Sequence, residues 1–171
     1  RHDGESYRLS LQWLAHEKGV EGHVIFYNRF VSLEELVEFI GAADIYITPY
    51  LDEAQITSGT LAYAFGAGKA VISTPYWHAA ELLRDQRGVL VPFADPKAIA
   101  REVSGLLRDG TRRNMMSGNA YQLGRKMVWT NTACEYMQSF EMARRQWTAH
   151  SFGSVAVNGF HRPQSPELSP F

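Results

Sequence analysis

Short apolar runs alternate with amphipathic stretches along most of the chain. The runs are five to seven residues long and rich in Val, Ile, Phe and Tyr, which predicts buried β-strands. The four predicted strands cover residues 23–27, 44–50, 70–74 and 88–93. The other stretches repeat their apolar positions at helical spacing, which predicts helices over residues 7–18, 32–40, 61–67, 77–83, 96–107, 111–127 and 131–147.

Capping residues mark where several of these helices begin or end. Ser32 followed by Glu35 is a capping box, and Asp95 precedes a proline at the first helical position. Thr111 is the predicted N-cap of the helix over residues 111–127, and Gly19 is a natural stop for the first helix. These residues set the expected boundaries of the elements.

The alternation of strands and helices predicts an α/β fold with a doubly wound parallel sheet that is buried on both faces. Sheets of this class bind ligands outside the carboxyl ends of their strands, near helix N-termini. The loops expected to form a site therefore cover residues 28–31, 49–60, 75–80 and 92–95.

A turn of small residues, Thr57–Thr60, leads from the second predicted strand into a helix. One interpretation is structural, with Ser58 as the N-cap of a core helix. The other is an anion site, with free backbone N–H groups at Ser58, Gly59 and Thr60 at the positive end of the helix dipole. The turn is not a P-loop, because the "GAGK" motif lies at the other end of the helix. From the residues alone, both interpretations stay open.

The composition of the chain argues against nucleic-acid binding, zinc binding by thiolates and a transmembrane segment. The 171 residues carry a formal net charge of −1, which gives no basis for binding nucleic acid. Cys134 is the only cysteine, so neither an intrachain disulfide nor a thiolate zinc cluster can form, and no HExxH motif is present. There is no run of about 18 apolar residues to form a transmembrane segment. No secretory signal opens the chain, so a cytoplasmic protein is expected.

The two ends of the chain differ from its middle. Residues 148–171 lose all periodicity and hold three of the seven prolines, which predicts a loose tail after a single domain over residues 1–147. The first residues read as the entry into a helix from within a larger protein. We therefore expect the chain to be part of a longer protein.

Three stretches, taken in order, resemble one family. They are "ADIYITPY", "GAGKAVIST" and "GVLVPFADPKAIA", beginning at Ala43, Gly66 and Gly88. Together they resemble the C-terminal, donor-binding half of the retaining GT-B glycosyltransferases of group 1, over residues 5–147. The resemblance implies a Rossmann-like nucleotide-sugar-binding domain whose N-terminal GT-B partner domain is missing from this chain.

The family signature carries over only in part. It has two glutamates, one by the donor sugar and one on the nucleotide ribose, and their positions here hold Gln55 and Tyr63. Gln55 keeps hydrogen bonding without the charge and is the implied catalytic position, while Tyr63 offers a hydroxyl or a stacking face. Glu53, two residues before Gln55, is a candidate substitute. The backbone turn that the family uses for the diphosphate maps to Thr57–Thr60.

Further candidates lie at strand ends. Asn28 and Arg29 follow the first predicted strand, where the family's base pocket begins; Arg29 would pair with phosphate or be a surface arginine. His78 would donate to a phosphate or a sugar hydroxyl, or cap a helix in solvent. Tyr50 would line the cleft or be an aromatic ring at the edge of the core. Glu81 matches a glutamate of the family or is a carboxylate that suits the N-terminal end of a helix dipole. Solvated positions are expected for three basic residues: Lys69, Arg125 and Lys126.

The resemblance implies transfer of a sugar from a nucleotide-diphosphate sugar to an acceptor hydroxyl, with retention and without a metal or another cofactor. Alone, the chain is expected to bind donor weakly and catalyse nothing. Its final helix would expose Tyr136, Phe140 or Trp147 and favour self-association. Two alternatives stay open. One is a degenerate GT-B half acting as a non-catalytic binding or scaffold module, and the other is a different enzyme on this fold, such as a nucleotide-sugar epimerase or a phosphorylase.

Overall fold

A computed structural model describes residues 2–153 of the chain, with side chains described over residues 5–148. The chain divides into two compact units, Arg1–Phe39 and Ile40–Phe171. Each unit is described in turn.

The first unit consists of helices and an extended segment. Helix α1 (His2–Glu17) ends as predicted before Gly19, which takes a left-handed φ of +66°. A short 3-10 turn, Glu21–His23, follows, and helix α2 (Leu33–Ala42) begins in this unit. The capping box is confirmed, because the Ser32 hydroxyl accepts from the Glu35 N–H (3.2 Å) and the Glu35 carboxylate accepts from the Ser32 N–H (3.1 Å).

The strand predicted over residues 23–27 is wrong. Residues 24–27 form no regular element, and Ile25 and Tyr27 are exposed. An apolar run becomes a strand only by pairing with a neighbour, and none of the described strands pairs with this segment. The Tyr27 ring instead lies edge-on to Phe39, with centroids 4.5 Å apart.

The second unit contains a parallel sheet of three strands in the order β1-β2-β3: β1 (Ile45–Thr48), β2 (Ala70–Ser73) and β3 (Val89–Leu90). Helices α3 (Gly59–Gly66) and α4 (Trp77–Leu82) connect these strands. The central strand β2 is buried at all four positions. The parallel α/β class predicted from the sequence is therefore confirmed, although β3 is only two residues long.

Helices α5 (Pro96–Arg108) and α6 (Gly110–Lys126) close the core over the sheet. One cluster of buried core side chains comes from both helices, strand β2 and the residue after β3: Ala70, Ile72, Val91, Ala98, Leu106 and Met116. Asp95 caps α5 as predicted, accepting from the Ala98 N–H at 2.9 Å. Thr111 does not cap α6. The preceding Asp109 does so, because its carboxylate accepts from the Arg112 N–H at 2.9 Å and a charged acceptor suits the helix dipole.

Helices α3 and α6 cross at close range. A Cβ built on Gly124 would lie 2.9 Å from the Gly66 Cα, whereas a Cβ on Gly118 would meet nothing within 4 Å. The Arg125 guanidinium donates to the Gly66 carbonyl at 3.0 Å and stacks over the Tyr121 ring. Arg125 is exposed, as expected, and the crossing also brings its guanidinium to the carbonyl of the last residue of α3.

Helix α7 (Trp129–Gly153) is the longest described element. It extends six residues beyond residue 147, because nothing before Gly153 breaks a helix, and residues 154–171 of the predicted tail lie outside the described part. Every residue from 133 to 148 is exposed, including Tyr136, Phe140 and Trp147. No described helix is long and apolar enough to cross a membrane.

Candidate functional site

The carboxyl ends of β1 and β2 form the edge where the sequence predicts a site. Thr48 and Ser73, the last residues of these strands, are register partners, and the Ser73 hydroxyl donates to the Thr48 carbonyl at 3.0 Å. Two more hydrogen bonds join the segments that follow: Thr74 Oγ1 to the Tyr50 carbonyl (2.5 Å) and Trp77 N–H to the Glu53 carbonyl (3.2 Å). These bonds hold the loop that precedes α3 against the start of α4.

The turn Thr57–Thr60 ends this loop and begins α3. Ser58 is the N-cap, and its hydroxyl accepts from the Leu61 N–H at 3.3 Å. Gly59 and Thr60 are the first two helical residues, whose N–H groups have no partner inside the helix and none among the other described residues. Nothing lies within 4 Å of a Cβ built on Gly59. The turn therefore has two adjacent backbone donors without a described partner at the positive end of α3, with open space beside Gly59.

The third predicted donor is already in use. The Ser58 N–H donates to His78 Nδ1 at 3.1 Å, so the expectation of three free N–H groups is corrected to two. His78 lies on α4, which the hydrogen bonds of the loop bring against the turn. Because Nδ1 accepts this bond, a neutral His78 carries its proton on Nε2. His78 thus contacts the predicted diphosphate turn, as a support for its backbone.

A residue that the sequence analysis did not select, Tyr46, also contacts the turn. Its hydroxyl donates to Thr60 Oγ1 at 2.7 Å, and Thr60 Oγ1 lies 3.4 Å from Ser58 Oγ. Burial raises the pKa of Tyr46. Strand alternation places Tyr46 and Thr48 on one face of β1, but only the fold brings that face to α3.

The two positions that replace the family glutamates lie on either side of the turn. The Gln55 amide donates to the Thr57 carbonyl at 2.8 Å, and its side chain is half-buried. This bond leaves the carbonyl oxygen of the Gln55 side chain available as an acceptor. Tyr63 is 46% exposed and follows Gly59 by four residues, so both lie on one face of α3. Glu53 is exposed, with its backbone carbonyl bound to the Trp77 N–H.

Asn28 and Arg29 belong to the first unit and are exposed. Arg29 is already paired, since its guanidinium donates to both oxygens of Glu35 at 2.9 and 2.5 Å. The Arg29 hydrogen bonds lower the pKa of Glu35 to about 2. Arg29 therefore binds a carboxylate in the first turn of α2, which matches the interpretation of Arg29 as a surface arginine.

The remaining candidates also have structural contacts. Tyr50 lies edge-on to the buried Tyr76, with centroids 5.1 Å apart, which matches the core-edge interpretation. Lys69, expected to be a solvated charge, is partly exposed and donates to the Gly41 carbonyl at 2.7 Å. Glu81 is exposed on α4. Within residues 5–148, His, Cys, Asp and Glu side chains form no group of three or more that would hold a metal ion.

The model of the family described as "Glycosyl transferases group 1" matches residues 3–109, which is more than half of the chain. The chain belongs to the group 1 glycosyltransferases. A relative, an uncharacterized glycosyltransferase of Methanocaldococcus jannaschii, is 28% identical over 119 residues, which cover 68% of this chain and 30% of the relative. The chain thus spans about a third of the length of the curated relatives it matches.

Two solved structures share the fold of this group 1 domain. The C-terminal domain of a group 1 glycosyl transferase of Francisella tularensis matches with a TM-score of 0.64 and 22% identity, over 71% of this chain and 62% of that one. The Anabaena protein HepE, solved in complex with UDP, matches with a TM-score of 0.68 and 17% identity, over 79% of this chain and 37% of that one. The chain therefore has the Rossmann-like fold of a C-terminal GT-B domain.

Proposed function

We propose that this chain is the donor-binding half of a glycosyltransferase, and that the turn Thr57–Thr60 binds the diphosphate of a nucleotide-diphosphate sugar. The observation that carries the proposal is the pair of N–H groups at Gly59 and Thr60, which have no partner among the described residues and lie at a helix N-terminus in a group 1 family member. A diphosphate oxygen that accepts from these groups also interacts with the dipole of α3. No lysine or metal ion is required at this turn.

The same turn would assist the reaction. When the bond between sugar and diphosphate breaks, negative charge develops on the departing diphosphate oxygen. Donors that are already oriented stabilise this charge without reorganising. The hydrogen bonds that hold the turn, from Ser58 to His78 and from Tyr46 to Thr60, supply that orientation.

Gln55 is the residue that we assign to the donor sugar. Its amide nitrogen is held by the Thr57 carbonyl, and its amide oxygen would accept from a sugar hydroxyl. A neutral amide cannot supply the charge of the family glutamate. Tyr63, on the same face of α3 as Gly59, would contact the ribose by its hydroxyl or its ring. Transfer with retention, to a hydroxyl that the upstream half binds, completes the proposal.

The first test is calorimetric titration of the full-length protein that carries this chain with UDP, GDP and ADP. We expect one of them to bind, and Gly59→Val to weaken that binding at least about tenfold by placing carbon between the donors and the phosphate. The matched control is Gly118→Val, because Gly118 is also helical and its Cβ would also meet open space. Equal losses in both variants, or no loss in either, would contradict the assignment. Binding that is unchanged by EDTA would support a metal-independent site.

A second test separates a working transferase from a scaffold. Nucleoside diphosphate released from UDP-glucose, GDP-mannose and related donors is measured by chromatography, with and without Gln55→Ala. Release that Gln55→Ala abolishes while nucleotide affinity stays within about twofold supports the role of Gln55. Nucleotide binding with no release from any donor would favour the binding-module alternative.

A further inference from the structure

We propose that Tyr46 is a positioning residue for this diphosphate site, because its hydroxyl sets the direction in which the Thr60 hydroxyl donates. Tyr46 acts through Thr60 and does not itself contact the phosphate. The inference rests on the proposed function, since it concerns how the same turn is prepared for its anion.

The first step is the hydrogen bond between the two residues. Tyr46 Oη donates to Thr60 Oγ1 at 2.7 Å, which is the usual length for a hydroxyl pair. Tyr46 is half-buried on β1, and Thr60 is half-buried in the first turn of α3. The bond therefore links the sheet directly to the turn.

The second step concerns the proton of Thr60. A threonine hydroxyl has one proton and two lone pairs, and the Tyr46 proton occupies one lone pair. The Thr60 proton is then directed away from Tyr46, and the available described partner is Ser58 Oγ at 3.4 Å. That contact is longer than a normal hydroxyl hydrogen bond. A charged phosphate oxygen is a stronger acceptor and would take the proton instead.

The third step is that Tyr46 keeps its role as donor. A phenol is more acidic than an aliphatic hydroxyl and is therefore the better hydrogen-bond donor. Tyr46 thus donates in this bond and Thr60 accepts. A phenol is protonated at neutral pH, and burial raises the pKa of Tyr46 further. Without Tyr46, the hydroxyl proton of Thr60 would be free to rotate, and fewer of its orientations would point at a ligand.

The chain offers a matched control in Tyr76. It is fully buried, it lies edge-on to Tyr50, and its hydroxyl has no hydrogen-bond partner among the described residues. Tyr76→Phe therefore removes the same atom as Tyr46→Phe, from the same part of the fold, without touching Thr60.

The experiment is a double-mutant cycle in the full-length protein, titrated with whichever of UDP, GDP and ADP binds the wild type. We expect Tyr46→Phe to weaken binding about fivefold, the loss typical of one hydrogen bond, and Tyr76→Phe to change it less than about twofold. In Thr60→Val the Tyr46→Phe change should have no further effect, whereas in Thr60→Ser, which keeps a hydroxyl, the fivefold loss should return. Thermal melting of each variant checks that it is folded.

Two outcomes overturn the inference while the proposed function stands: wild-type affinity in Tyr46→Phe, or the same fivefold loss in the Thr60→Val background, which would mean a structural role only. If Tyr46→Phe is unfolded, the comparison of Thr60→Ser with Thr60→Val decides, and equal affinities overturn the inference. If no nucleotide binds the wild type, the proposed function fails and the inference fails with it.

Discussion

In the unit Ile40–Phe171 the strand residue Ile72 is inaccessible to solvent, whereas in Arg1–Phe39 the equally apolar Ile25 is 78% exposed. Both residues belong to runs that the sequence presents as strands. The difference lies in their surroundings, since Ile72 has paired strands on both sides and Ile25 has none among the described strands. An apolar pattern indicates that a segment can form a strand, but the segment becomes one only where the fold places another strand beside it.

Truncation of the two isoleucines tests this comparison most directly. We expect Ile72→Ala to lower the free energy of unfolding by about 2–5 kcal/mol, because it removes buried methyl groups and leaves a cavity. Ile25→Ala should lower it by less than about 0.5 kcal/mol, because the side chain is already in water. Urea unfolding followed by circular dichroism measures both. A comparable loss in Ile25→Ala would show that residues 24–27 are buried in solution.

The helix crossing in the second unit provides the next largest effect. Gly124→Ala should destabilise the chain by about 1–3 kcal/mol, because the new methyl group would lie 2.9 Å from the Gly66 Cα. Gly118→Ala, six residues earlier on α6, should stabilise it by about 0.5–1 kcal/mol, since alanine favours a helix and nothing lies within 4 Å. Thermal melting compares the two. A stabilising Gly124→Ala would mean that α3 and α6 are farther apart than described.

The next prediction concerns the buried Tyr76 hydroxyl in the core of the second unit. Its hydroxyl is desolvated and has no partner among the described residues, a state that costs free energy. We expect Tyr76→Phe to leave stability unchanged or to raise it by about 1 kcal/mol. Urea unfolding provides the measurement, with Tyr46→Phe as the contrasting variant because Tyr46 does donate a hydrogen bond. A loss of more than about 1 kcal/mol in Tyr76→Phe would reveal a hydrogen bond to water or to a residue outside the described part of the chain.

The smallest effect concerns the exposed pair Arg29 and Glu35 in the first unit. The folded pKa of Glu35 is about 2, below its ordinary value, mainly through the Arg29 hydrogen bonds. A lowered carboxyl pKa stabilises the folded state above the unfolded pKa, and this contribution is lost as the pH falls towards 2. NMR titration should place the Glu35 midpoint near 2 in the wild type. In Arg29→Gln the midpoint should rise, and an unchanged midpoint would remove Arg29 as the cause.

Local signals in the sequence predicted where several helices of both units begin or end. The capping residues Ser32 and Asp95 begin helices where expected, and Gly19 ends one. These predictions succeed because a cap acts on backbone groups two or three residues away, so its energy depends little on the rest of the fold. The prediction that Thr111 caps α6 was wrong, because Asp109, two residues earlier, is the better acceptor for the backbone N–H groups of the first turn.

The candidate site could be predicted only in part. The turn Thr57–Thr60 was recognisable from its small residues and its place before a helix. The bonds that support it were not, because they join residues far apart in sequence: Ser58 to His78, and Tyr46 to Thr60. Each bond joins two elements that only the tertiary fold brings together: α3 with α4, and β1 with α3.

The sequence by itself determined the family, the order of most helices and strands, the parallel α/β class and the location of the turn that we propose binds the diphosphate. These follow from periodicity, caps and ordered motifs, which depend on neighbours within a few residues. The tertiary structure decided that residues 24–27 form no strand, that Gly124 is a contact point and that one of three expected donors is occupied. Those outcomes depend on which distant atoms lie within about 3 Å, a distance set by packing and not by spacing along the chain.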